Sequence, residues 1–117
     1  MATILIVEDE EDLRLLLRLS LSSESYTFLE AATGAEAAVL WSSADLILLD
    51  LRLPDIDGLD LLRRLGNKGV SVIAVSAHSA GHLGATAIEA GCVGYLAKPF
   101  TTAELLETVR AALPAAS

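Results

Sequence analysis

The sequence predicts an α/β domain in which a parallel sheet is covered by helices on both faces. Three observations lead there. Short apolar runs alternate with helical patterns five times. The run Leu46-Ile47-Leu48-Leu49 has no polar alternation, which suits a strand buried on both faces. Several of the runs end abruptly in polar residues, as strands do where they emerge at the edge that binds ligands in open α/β sheets.

The order of elements follows from local chemistry. Thr3-Ile4-Leu5-Ile6-Val7 is a β-branched first strand that ends in the acids Glu8 to Glu11. Asp9 and its neighbours are placed to cap a helix over about 11–22, with Leu13, Leu16, Leu17 and Leu21 at helical spacing. Leu15 and Leu19 exceed one core-facing stripe, so part of this helix is either rim packing or a docking surface. Residues 26–31 read as a strand nearer an edge. Thr33-Gly34-Ala35-Glu36 matches a capping box opening a helix through about Trp41, itself expected in packing. The third strand, Leu46 to Asp50, stops at Leu51-Arg52-Leu53-Pro54-Asp55-Ile56-Asp57-Gly58, where proline, aspartates and glycine demand a turn.

A short helix follows from Gly58 to about Leu65, carrying Leu59, Leu61, Leu62 and Leu65, and Gly66-Asn67-Lys68-Gly69 breaks it. Residues 70–75 form a fourth buried strand emerging at Ser76-Ala77-His78-Ser79. The helix over about 80–90 contains Gly81 and Gly84, each costing about 1 kcal/mol relative to Ala, and is expected to be mobile. Leu83, Ala87 and Ile88 give it a face that is packed or open to a partner. A last strand lies within 91–98 and ends in Lys98-Pro99. Thr101-Thr102-Ala103-Glu104 is a second capping box, opening a helix with Leu105, Leu106, Val109 and Leu113 on its apolar face and Pro114 as its stop.

Composition narrows the function. At 117 residues the chain is expected to be one domain over 1–117 with no output domain. A hydrophobic share of 53% with 4% aromatics means an aliphatic core. A formal charge of −8 opposes direct nucleic-acid binding. The single cysteine, Cys92, forms no internal disulfide and suits a reducing compartment. The apolar run Ile4 to Val7 is too short for a signal peptide or membrane span, which gives a soluble, cytoplasmic expectation.

The strand ends bring together Glu8 and Asp9 from the first strand, Asp50 from the third, Ser76 from the fourth and Lys98 from the fifth. Crowded carboxylates repel, and a hard divalent cation such as Mg²⁺ relieves that repulsion while keeping sites for water and phosphate. A hydroxyl and an ammonium beside them suit the equatorial oxygens of a phosphoryl group. Phosphoryl transfer onto Asp50 is the chemistry suggested.

These residues carry a family resemblance. Ile4-Leu5-Ile6-Val7-Glu8-Asp9-Glu10, the segment Leu46 through Gly58, Val75-Ser76-Ala77 and Tyr95-Leu96-Ala97-Lys98-Pro99-Phe100 together resemble the receiver domain of two-component response regulators, over nearly the whole chain. The resemblance implies a flavodoxin-like (βα)5 three-layer sandwich with strand order 2-1-3-4-5. It implies that Asp50 is the phosphoacceptor, served by a histidine kinase or a histidine phosphotransfer protein. Asp9, Asp50 and the backbone carbonyl of Arg52 would hold Mg²⁺ (or Mn²⁺), with Glu8 acting through water. Ser76 and the Ala77 N–H would bind the phosphoryl group, Lys98 would pair with it, and Tyr95 would be the aromatic switch acting with Ser76.

By the same resemblance Arg52 and His78 tune aspartyl-phosphate hydrolysis, and Leu13, Leu16 and Pro99 belong to the kinase-docking surface. The partner-binding surface that switches is expected around the fourth helix, fifth strand and fifth helix, its effector unnamed. The Lys98–Pro99 bond is expected to be cis. Val93, Gly94 and Ala103 stand where the DNA-binding subfamily carries a charged dimer contact, so the expected state is a monomer or a weak phosphorylation-dependent dimer.

Three other readings compete with this one. A phosphatase of the haloacid-dehalogenase type also uses an aspartate after a buried strand, but needs an acid two residues on, where Arg52 stands. A receiver-like module that binds without being phosphorylated is not favoured, since Glu8, Asp9, Asp50, Ser76 and Lys98 are all present. A nucleotide-binding module lacks its glycine-rich loop after the first strand.

Overall fold

The computed structural model describes residues 2–66, 69–77 and 81–113, with residues 81–84 described as backbone only. Its strands are β1 (Thr3–Val7), β2 (Thr27–Ala31), β3 (Leu46–Asp50), β4 (Ser71–Ser76) and β5 (Gly94–Ala97). Between and after them lie α1 (Glu11–Ser20), α2 (Gly34–Leu40), α3 (Gly58–Leu65), α4 (Gly81–Glu89) and α5 (Thr102–Ala112). All pairings are parallel and the order is β2-β1-β3-β4-β5, as the resemblance implies.

The middle strands are apolar on both faces because both faces are covered. Leu5, Val7, Ile47, Leu49, Val72 and Ala74 point into the layer shared with α2, α3 and α4, where Ala37, Leu59, Leu62 and Ala87 meet them. Ile4, Ile6, Leu46, Leu48, Ile73 and Val75 point the other way, into the layer formed with Leu17 and Leu21 at α1 and Leu105 and Val109 of α5. Each such Leu or Ile, fully buried, contributes about 1.5–3 kcal/mol. Only β2, at a sheet edge, retains exposed positions at Thr27 and Glu30.

Several local expectations are corrected. Helix α1 ends at Ser20, with Leu21 as its C-cap, so Ser22 lies beyond it. The acids before it do not cap it: Glu10 is the N-cap and makes no side-chain cap bond. Leu16, placed with the core stripe by spacing, is 58% exposed, whereas Leu17 and Leu21 are buried. Leu15 and Leu19 are exposed on the same helix. Helix α2 stops at Leu40, and Trp41–Ser43 form a separate 3-10 turn. Trp41 is buried there and donates its Nε1–H to the Gly66 carbonyl at 3.0 Å.

The Thr33 hydroxyl accepts from Glu36 N as expected, but the Glu36 carboxylate reaches Ala32 N instead of Thr33 N, a capping box displaced by one residue. At α5 the full box forms between Thr101 and Glu104. Leu65 lies at the exposed end of α3. In the break after it Gly66 and Gly69 both take left-handed φ, at 74° and 72°, which favours glycine. In α4, Ala87 is packed and Ile88 exposed. The Leu83 side chain, His78 and the Pro114 stop lie outside the described residues.

The turn below Asp50 is built by close backbone approach. Gly58 N donates to the Leu51 carbonyl at 3.0 Å, and a Cβ on Gly58 would lie 2.7 Å from both the Asp50 carbonyl oxygen and Leu51 Cα. Those are backbone atoms and cannot swing aside. Gly58→Ala is therefore expected to destabilise the fold by about 1–3 kcal/mol. Urea unfolding followed by Trp41 fluorescence checks this, and an unchanged midpoint would show that the turn can relax.

Candidate functional site

Parallel pairing brings the strand ends to one edge. Val7 pairs with Leu49, Asp50 with Val75, and Ser76 with Ala97. The ladder continues past the strands, with Glu8 N donating to the Ala31 carbonyl at 3.0 Å and Lys98 N to the Ser76 carbonyl at 2.7 Å. Glu8, Asp50, Ser76 and Lys98 thus converge on the crevice beside the β1–β3 junction, where the chain order along the sheet reverses.

One carboxylate oxygen each from Glu8, Asp9 and Asp50 lies within 4.8 Å of the others. Glu8 and Asp50 are buried, while Asp9 is exposed at the mouth. Lys98 bridges the buried pair, its Nζ 3.1 Å from Glu8 Oε1 and 3.2 Å from Asp50 Oδ2. Asp50 Oδ1 accepts from Arg52 N at 2.8 Å, which folds the chain sharply after β3. Glu8 Oε2 accepts from Glu10 N at 3.0 Å.

Burial pushes the Glu8 carboxyl up to about 8, reinforced by its hydrogen bond to Asp50 and, more weakly, to Asp9; the Glu10 N–H and Lys98 pull the other way. For Lys98, burial favours the neutral amine, but hydrogen bonds and charge from Glu8 and Asp50 outweigh it and raise its pKa overall. The site thus holds a fixed ammonium and a proton-retaining acid among like charges. Oxygen-only donors, one exposed for entry, fit a hard divalent ion that keeps part of its water shell.

The other residues singled out by sequence lie around this cluster. Ser76 is buried at the end of β4, and Ala77 follows it at the surface. Tyr95 is half-buried on β5 against the layer of α2, α3 and α4. Arg52 is exposed at the mouth, and its bridge to Asp57 closes the loop. Leu13 is half-buried on the inner face of α1 in the same apolar layer as Phe100, with Leu16 outside it. Pro99 is exposed and follows a cis Lys98–Pro99 bond, as expected.

Two supports went unseen in the sequence. The Arg14 guanidinium donates to the Glu8 carbonyl at 2.7 Å and to Glu30 at 3.1 Å. Asp55, in the loop after β3, accepts from Gly34 N at 2.8 Å and Ala35 N at 3.0 Å, tying that loop to the start of α2; these bonds hold its pKa below the usual range despite opposing desolvation. Arg14–Glu30 and the Asp55 bonds join residues 16 to 21 apart, and Arg14 reaches Glu8 through its backbone carbonyl, so no local pattern marks them.

An aspartate at the end of a central strand, flanked by two acids and a lysine on a doubly wound sheet of this order, defines a receiver-type acidic site. Residues 4–110 match the response regulator receiver domain, and the chain belongs to that family. It is 42% identical over 118 residues to the KDP operon transcriptional regulatory protein KdpE of Escherichia coli K12, covering 97% of this chain and 52% of that protein. Sporulation initiation phosphotransferase F of Bacillus subtilis 168 is 33% identical over 115 residues, covering 95% of this chain and 93% of that protein. A CheY-like response regulator receiver domain from Methanospirillum hungatei JF-1 superposes with a TM-score of 0.86 at 28% identity, over 95% of this chain and 92% of that one. The chain spans about half the length of the first curated relatives it matches. Among the described residues no helix is long and apolar enough to cross a membrane.

The protonated Glu8 has a consequence for stability in chelator. Its folded pKa lies above the ordinary 4.5, so its contribution is complete below pH 4.5 and is lost as pH rises to about 8. Glu8→Gln imitates the protonated acid, so it should gain stability relative to the unsubstituted chain across that window. Thermal melts from pH 5 to 9 in EDTA test this; parallel curves would mean that Glu8 is ionised throughout.

Proposed function

We propose that the chain is a phosphoacceptor receiver whose Asp50 takes a phosphoryl group from a histidine on a partner kinase or phosphotransfer protein, in a Mg²⁺-dependent reaction. The observation that carries this reading is the Lys98 bridge to a buried Asp50 beside Glu8 and Asp9. Asp9, Asp50 and the Arg52 carbonyl are the proposed Mg²⁺ ligands, with Glu8 acting through water. Bound there, the ion offsets carboxylate charge and draws density from the phosphoryl oxygens.

The chain's own residues perform the rest. An Asp50 carboxylate oxygen attacks phosphorus in line, the P–N bond to the donor histidine breaks, and its electron pair stays on the imidazole. Lys98, already held toward Asp50 at 3.2 Å, pairs with the new phosphoryl oxygens. Ser76 and the Ala77 N–H bind the remaining oxygens. The dianion gives Ser76 a contact that the unphosphorylated form lacks, and this biases Tyr95 and the surface around α4, β5 and α5.

Arg52, exposed after Asp50, and His78 are proposed to set the lifetime of the phosphate. Leu13, Leu16 and Pro99 are proposed to meet the phosphodonor, and the exposure of Leu16 and Pro99 supports that use. The domain catalyses only its own phosphorylation and dephosphorylation, and is proposed to act in the cytoplasm as a monomer or a weak phosphorylation-dependent dimer with a downstream effector.

Intact-mass analysis after incubation with acetyl phosphate should give a phospho-adduct that needs Mg²⁺ and disappears in Asp50→Asn. An adduct retained in that variant would move the acceptor elsewhere. No adduct on the unsubstituted chain, and no change with beryllofluoride, would favour a binding-only module. Lys98→Ala should slow adduct formation about 100-fold, the cost of losing one positioned donor. An unchanged rate would remove Lys98 from the reaction.

A further inference from the structure

Glu8 and Asp9 sit on the short link between β1 and α1, where Glu8 Oε2 accepts from Glu10 N at 3.0 Å. The N-cap residue Glu10 makes no side-chain bond to the first turn, and Asp9 is exposed. The Glu8 amide is fixed by the Ala31 carbonyl. Its carbonyl accepts from Arg14 Nη1 at 2.7 Å. Because the peptide unit is planar, fixing the direction of the Glu8 carbonyl fixes the plane of the Glu8–Asp9 peptide. That plane sets where the Asp9 side chain leaves the backbone.

Arg14 is itself held. Its Nε donates to Glu30 Oε1 at 3.1 Å, and the other Glu30 oxygen is taken by Arg18 at 2.6 Å. The Arg14 side chain is 15% exposed, so its charge-assisted bonds compete with little water. Its planar fork meets the two acceptors with separate nitrogens, Nη1 on the Glu8 carbonyl and Nε on Glu30, in one rigid plane.

We propose that Arg14 is a positioning residue for the divalent cation, acting through the Glu8 carbonyl to hold the Glu8 and Asp9 carboxylates in ligating geometry, with Glu30 as its anchor. The inference rests on the metal-binding reading above. It has a sign that distinguishes it from simple charge. Removing a cation near an acidic cluster strengthens binding of a divalent ion by Coulomb's law, whereas loosening the link weakens it. An octahedral ion with short metal–oxygen distances is sensitive to such loosening.

The test is Mn²⁺ titration by electron paramagnetic resonance and calorimetry, with thermal melts in EDTA alongside. Arg14→Gln should weaken Mn²⁺ binding about 10-fold, in the range for groups that orient metal ligands. Arg14→Lys, which keeps a donor for the carbonyl but loses the Glu30 contact, should fall between. Arg63→Gln removes the same charge from α3 and should stay within about two-fold, since screening weakens distant charges. Equal or tighter binding by Arg14→Gln overturns the proposal, as does an equal loss in Arg63→Gln or an Arg14→Lys no better than Arg14→Gln. Should Arg14→Gln fail to fold, Arg14→Lys decides, because it keeps the charge and loosens the link: binding weaker than in the unsubstituted chain supports the role, and unchanged binding overturns it. An unsubstituted chain that binds no Mn²⁺ would instead defeat the metal reading itself.

Discussion

Three carboxylates held within 4.8 Å of one another, two of them buried, are the constraint around which this structure is arranged. Bringing such charges together out of water is unfavourable unless something positive or a proton is supplied. Two devices do this. Lys98 arrives from β5, across the width of β4, to touch both buried acids. Glu8 keeps its proton well into the neutral range. A divalent cation, which these oxygen donors fit, would do the same task more strongly.

The scaffold serves that arrangement by making β1 and β3 neighbours at the centre of a parallel sheet, so that their acidic ends lie side by side. The loops then need fastening, since a loop carries few apolar contacts of its own. After β3, Arg52 N closes onto Asp50, Gly58 draws the return path against the strand end, and Asp55 ties the turn to α2. After β1, the fastening is Arg14. Each is a hydrogen bond from or to the backbone, which fixes the direction of the chain more sharply than side-chain packing does.

Much of this was legible in the sequence where the signal is local or periodic. The uninterrupted apolar run before Asp50 marked a strand covered on both faces, and Thr101 with Glu104 marked the start of α5. The motifs at four strand ends together indicated the site and the strand order. Other features resist such reading. Leu16 shares the helical spacing of Leu13, Leu17 and Leu21, yet helix orientation on the sheet leaves it outside; spacing gives a stripe and not its centre. The acids before α1 had the composition of a cap, but Glu8 is committed to the cluster and the Glu10 side chain makes no cap bond. Arg14 with the Glu8 carbonyl, and Asp55 with the amides of Gly34 and Ala35, are contacts between loops and helix ends. Sequence spacing carries no trace of them.

Having apolar residues on both faces of β1, β3 and β4 leaves hydrophobicity almost blind to phase. Sliding a strand by one residue exchanges its two faces, and in β3 that trades Leu and Ile for Leu and Leu with little change in buried apolar area. What breaks the degeneracy is the polar terminus: a slip of β3 in one direction draws the Asp50 carboxylate in among the strands, away from Lys98, where an uncompensated charge costs several kcal/mol. The residue proposed to accept phosphate therefore also sets the phase of the central strand, marking where β3 must stop. Neutralising such a marker removes a phase reference from the folding chain as well as a nucleophile from the site.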